Sequence, residues 1–202
     1  MSKQVYISAD YSVYDGDRDV VDELNKWGSD NLHKVDFIDM SRVASGSVAN
    51  APDCRICDLK QEFNRQINAS SAVIFVVGDK TALRTAGSAC KRAGSEQYLC
   101  SCTPYKQNTN GTKPCKVTFT FTPGVNDNFG CINSCSYLKH EFMQAEKQNK
   151  KIIIVYNSLR KESEWLPSYM KKYEDSARPF WTKNYWGDKV GDYAYIKEVL
   201  GF

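Results

Sequence analysis

The chain has 202 residues, enough to bury a substantial core and within the range of one domain. Hydrophobic residues at 42% and charged residues at 25% exclude a disordered chain and a fibrous repeat. Against 24 Asp and Glu stand 27 Lys and Arg, scattered without a basic stripe, so nucleic acid is not an expected partner.

From the N-terminus, MSKQVYISAD passes from one lysine into a strand-like pattern without the apolar stretch of a signal peptide. The expected location is cytoplasmic. The longest apolar runs, Ala72 to Val77 and Ile152 to Tyr156, fall far short of the roughly 18 residues needed to span a bilayer, so no membrane partner is expected.

Four short apolar runs read as strands: Val5 to Ser8, Val35 to Met40, Ala72 to Val77 and Lys151 to Asn157. The last two are rich in β-branched residues, as strands covered on both faces are. Helical stretches are predicted at Asp17 to Asp30, Asp58 to Asn68, Ser136 to Asn149, Ser163 to Tyr173 and Asp192 to Leu200. This alternation predicts an α/β fold, a flavodoxin-like parallel sheet with helices on both faces, as a single domain over residues 1–202. In such sheets ligands collect at the carboxyl ends of the strands.

Residues 82–135 break the rhythm, being far longer than an ordinary strand-to-helix loop. Val117, Phe119 and Phe121 alternate with threonines after the turn signal Asn110-Gly111, which predicts an inserted β-hairpin. Six of the eight cysteines lie in this insertion, and Cys54 and Cys57 form a Cys-x-x-Cys before the second helix. Thiols packed as small hydrophobes are the favoured reading, with a structural zinc site or disulfides as alternatives. No metal is assigned to the functional site.

In the helix beginning at Ser136, Leu138, Phe142 and Ala145 make a core-facing stripe. At 100° per residue, Glu141 lies about 60° from Leu138 and about 40° from Tyr137. It borders the core stripe, on an early turn where the helix N-terminus favours an ionised carboxylate. The alternative is a surface glutamate paired with Lys139 or Lys147. His140, beside it, either assists or faces outward.

The stretch SYLKHEFMQAEKQNKKIIIVYN resembles the third helix and fourth strand of TIR domains, where a tryptophan is followed after three residues by a glutamate. Tyr137 stands in the aromatic place and Glu141 in the glutamate place. VYISADYSVYDGDRDVVDEL and INASSAVIFVVGDKT resemble the first strand and helix, and the third strand, of the TIR-like branch in bacterial antiphage systems of the Thoeris type. The resemblance covers roughly residues 3–81 and 134–175, and the insertion has no counterpart in it.

The resemblance implies an enzyme that cleaves NAD+ between nicotinamide and ribose, with Glu141 catalytic, and that makes an ADP-ribose-derived signalling nucleotide. NAD+ is then a substrate, and no resident cofactor is expected. Partners implied are a separate effector protein that reads the nucleotide, and further copies of the chain. By position, Ser8, Asp10 and Tyr11 at the exit of the first strand are candidates to contact ribose or phosphate, with Tyr11 or Tyr137 stacking on a ring. Asp39 and Ser41, at the exit of the second strand, are weaker candidates. Each of these can equally be a solvated loop residue or a helix cap. The competing reading of the whole is a TIR-like interaction module without chemistry. A dinucleotide fingerprint, a phosphate loop and a His-Glu-x-x-His motif are all missing from the sequence.

Overall fold

The apolar run Ala72–Val77 forms strand β3, and all six of its residues are buried. A strand can be apolar on both faces only when both are covered, which is why no polar residue alternates here. In the computed structural model, which describes residues 3–10, 16–29, 35–39, 63–83 and 136–201, four further strands accompany it. These are β1 (Lys3–Ser8), β2 (Val35–Asp39), β4 (Lys151–Tyr156) and the two-residue β5 (Arg178–Pro179). Together they make a five-stranded parallel sheet in the order β2-β1-β3-β4-β5. The chain leaves β1 for β2 on one side and returns to β3 on the other, which makes the carboxyl ends of β1 and β3 the point where the strand order reverses.

The described residues fall into two compact units, 3–10, 16–29, 35–39, 69–83 and 149–201 in one, 63–68 and 136–148 in the other. In the first, α1 (Arg18–Ser29) buries Val20, Val21, Leu24 and Trp27, a stripe at helical spacing. They join one core cluster with Val5 and Ile7 of β1, Ile74 and Val76 of β3, and Ile153 and Val155 of β4. The two-residue period of the strands and the three-to-four-residue period of the helix thus meet in one apolar layer.

The predicted helix over 163–173 is corrected to two short 3-10 segments, Ser163–Trp165 and Ser168–Tyr173. Pro167 has no N–H to offer, and it forces Leu166 into an extended conformation with ψ 118°. Downstream lies a hairpin that the sequence pattern did not announce, β6 (Trp181–Lys183) paired antiparallel with β7 (Lys189–Gly191). The last helix (Tyr193–Leu200) is opened by Asp192, whose Oδ1 accepts from Tyr195 N at 3.0 Å. It is closed by Gly201 at φ 76°, a left-handed position that suits glycine.

In the second unit, residues 63–68 are helical, and α2 (Tyr137–Lys147) follows the insertion in sequence. Insertion residues 84–135 lie outside the described residues, as do all eight cysteines. Among the described residues no helix is long and apolar enough to cross a membrane.

Candidate functional site

The helix α2 starts at a cap that its sequence supplies: Ser136 Oγ accepts from Lys139 N at 3.1 Å. Four residues beyond Tyr137 sits Glu141, only 3% exposed. Glu141 is therefore not a surface residue. Burying a carboxylate is costly unless it is hydrogen-bonded, paired or used. Tyr137 is half-buried and meets Phe63 edge to face at 5.5 Å. His140 faces inward, with Nε2 2.9 Å from Asn64 Oδ1, and Gln144 Nε2 donates to Asn68 Oδ1 at 2.9 Å. Tyr137, His140 and Gln144 are spaced by three and four, as are Phe63, Asn64 and Asn68 by one and four, so two helical ridges hold each other in register. This clasp fixes the turn that carries Glu141.

The other candidates lie at the carboxyl rim of the sheet. Ser8 ends β1 and is fully buried, and Asp10 follows it, half-buried. Asp39 ends β2 and is buried, accepting from Asn25 Nδ2 of α1 at 3.0 Å, a bond that ties helix to strand. Tyr11 and Ser41 lie outside the described residues. Ser8, Asp10 and Asp39 therefore share one rim, while Tyr137 and Glu141 share one helix in the other unit.

Sequence reasoning missed the centre of that rim. Asp17, at the entry to α1, is 4% exposed, and its backbone N donates to Asp10 O at 2.7 Å. Asn157, just past β4, donates from Nδ2 to Asp17 Oδ1 at 3.0 Å and to Asp19 Oδ1 at 2.8 Å. Its Oδ1 accepts from the Trp181 indole Nε1 at 2.7 Å. An indole N–H only donates, so the amide oxygen must face Trp181 and the amide nitrogen must face the two carboxyls. Lys189 Nζ closes the circuit, 3.1 Å from Asp19 Oδ2 and 4.0 Å above the Trp181 ring.

Gly78, at the exit of β3, completes the packing: a Cβ there would come within 2.3 Å of Asp17 Oδ1. The carboxyl thus rests against bare backbone. Burial pushes Asp17 up to about 7, opposed by the Asn157 amide and raised further by the Asp10 and Asp19 carboxylates. A carboxyl tuned to neutrality can take or give a proton at physiological pH. The sequence signal for it was faint: an Asp at a helix start reads as an ordinary cap, and its amide partner lies 140 residues away.

Among the described residues no group of three or more His, Cys, Asp or Glu is placed to hold a metal ion. No protein-family model, curated protein or solved structure matches the chain.

Proposed function

We propose that the chain is a TIR-type NAD+ glycohydrolase or cyclase, with Glu141 as its catalytic carboxylate. The observation that carries this reading is Glu141 itself, buried on an early turn of a clasped helix with an aromatic ring one turn before it. Supporting it is the strand order β2-β1-β3-β4-β5, the order of flavodoxin-like sheets, with the polar residues Ser8, Asp10 and Asp17 at the carboxyl rim, the side on which such folds bind nucleotides.

The chemistry suits a single carboxylate. As the bond between ribose C1′ and the nicotinamide nitrogen breaks, its electron pair cancels the positive charge of the ring. Nicotinamide leaves neutral and needs no general acid, unlike the leaving group of an ordinary glycoside. Positive charge passes to the ribosyl centre, where a buried carboxylate stabilises it strongly. Water then attacks C1′ to give ADP-ribose and a proton, or a nucleophile of the same molecule attacks to give a cyclic product. Tyr137, on the helix of Glu141, is offered as a stacking surface; Ser8 and Asp10, in the other unit, are offered separately as contacts for ribose or phosphate. The nucleotide product would serve as a diffusible signal for a separate effector in bacterial antiphage defence.

The test is incubation of purified protein with NAD+, with and without lysate of phage-infected cells, following nicotinamide and nucleotide products by mass spectrometry. Wild type is expected to release nicotinamide under activating conditions and Glu141→Gln to lose that release. Equal rates in the two proteins remove Glu141 from the chemistry. Assembly without any NAD+ consumption leaves an interaction module instead.

A further inference from the structure

The turn between β6 and β7, Asn184-Tyr185-Trp186-Gly187-Asp188, is built to hold its shape. Asn184 Oδ1 accepts from Trp186 N at 3.0 Å and from Asp188 N at 2.9 Å. Asn184 Nδ2 donates to Asp188 Oδ2 at 3.0 Å, and Asn184 N and Gly187 N close backbone bonds of 3.0 Å to Asp188 O and Asn184 O. One asparagine side chain thus organises the whole tip. Yet the tip presents to water two of the largest side chains in the protein: Tyr185 is 95% exposed and Trp186 is 81% exposed. Their rings lie edge to face at 6.0 Å. A single exposed apolar residue needs no explanation, but two aromatic rings on a preorganised frame have the form of an interface anchor.

A cleft of about 550 Å³ lies at the base of the same hairpin. Leu159, Pro179 and Val199 give it apolar walls, Asp192 and Glu198 an acidic edge, and Arg178 a guanidinium. Trp181 and Thr182 of β6 also line it, so the hairpin's own base forms a wall of the cleft, and the high exposure of Tyr185 and Trp186 shows that the tip does not fold back to fill it. The tip's own charge, Asp188, is held by Asn184, and the cation beside it, Lys183, is opposite in sign to Glu198 on the edge of the cleft. Lys183, at the root of the tip, and Glu198 form no ion pair among the described residues. Arg178 offers a cation for an aromatic face.

We propose that the Tyr185–Trp186 tip of one chain seats in the Leu159–Pro179–Val199 cleft of a second copy, with Lys183 against Glu198. Knob and hole are different patches of the same chain, so the contact is head to tail and propagates into a ring or a filament. Two aromatic side chains bury about 150–250 Å² each, well under the roughly 800 Å² per partner of a stable complex. Each contact is therefore weak, and assembly depends on concentration or on ring closure.

Sedimentation velocity of the full chain from about 10 μM to about 1 mM tests this, since it covers the weak affinities expected of so small an interface. No substrate is needed, so the result is independent of the NAD+ reading. Wild type is expected to gain mass with concentration. The double variant Tyr185→Ala/Trp186→Ala, which lacks the knob, and Glu198→Lys, which blocks the hole, are each expected to remain monomeric with unchanged circular dichroism. Mixed together, they retain one complementary pair of faces and should form a 1:1 dimer that grows no further. A wild type that stays monomeric throughout, a knobless variant that assembles like wild type, or a mixture that fails to dimerise overturns the proposal. So does wild type that stays monomeric while binding phosphatidylserine vesicles through the tip, which would assign the rings to a membrane surface.

Discussion

Asp17 and Glu141 are both almost fully buried carboxyl groups near the start of a helix, and the protein surrounds them in opposite ways. Glu141 sits inside a regular helix whose neighbours, Tyr137 and His140, are gripped by a second helical segment through Phe63 and Asn64. Asp17 sits where a helix entry and the exits of β3 and β4 meet, and it shares its amide donor with Asp19. The contrast shows that burial alone does not give a carboxyl its role. A group held by its own helix keeps its place while its neighbours change, whereas a group held by distant strand ends has a proton affinity set by how well those ends stay together.

The largest test of the contrast is on activity. Replacing Glu141 by Gln keeps size and hydrogen-bonding atoms but removes the charge, and NAD+ cleavage is expected to fall by about 10²–10³-fold, with the melting temperature as a check on folding. Gly78→Ala attacks the other carboxyl by driving a methyl group into Asp17. Overpacking of that kind costs about 1–3 kcal/mol, and thermal denaturation should fall by about 2–4 °C for each kcal/mol. Asn157→Ala leaves the Trp181 indole without its acceptor and removes the amide donor from Asp17, while Asp19 keeps Lys189, at a cost of about 1–3 kcal/mol read from urea unfolding.

The smallest effect is one of shape. Because Asp17 is raised from 3.8 to about 7, the folded protein binds more protons than the unfolded chain between those values. That part of the stability is present in full below about pH 4 and is lost as pH rises through about 7. Asp17→Asn keeps an oxygen to accept from Asn157 but cannot titrate, so its melting temperature should decline less than wild type between pH 5 and 8. Parallel curves would show that Asp17 is not the titrating group.

Much of the sheet was legible because its strands announce themselves locally. Ala72–Val77 and Lys151–Tyr156 are β-branched runs whose burial follows from composition, and Glu141 could be singled out because one helical turn relates it to Tyr137. The rim network was not legible, since it depends on pairs such as Asp17 with Asn157 and Asp19 with Lys189, which helical or strand periodicity does not relate. The 163–173 stretch looked helical because its apolar spacing is right, but Pro167 outweighs that spacing. The β6–β7 hairpin escaped because strands of three residues are too short to show a period, and its turn is specified by an Asn–Asp pair four residues apart rather than by a two-residue glycine turn.

The pairing of β3 also has a consequence for how the chain is made. One edge of this wholly apolar strand pairs with β1, already synthesised, but the other awaits β4, whose Lys151 aligns with Ala72. At about 5–20 residues per second, a ribosome takes roughly 4–15 s to deliver that partner. During that interval AVIFVV has an unfilled edge and the composition of an aggregation-prone segment. Synthesis rate and chaperone supply should therefore limit the yield of native protein more than the final stability of the sheet does.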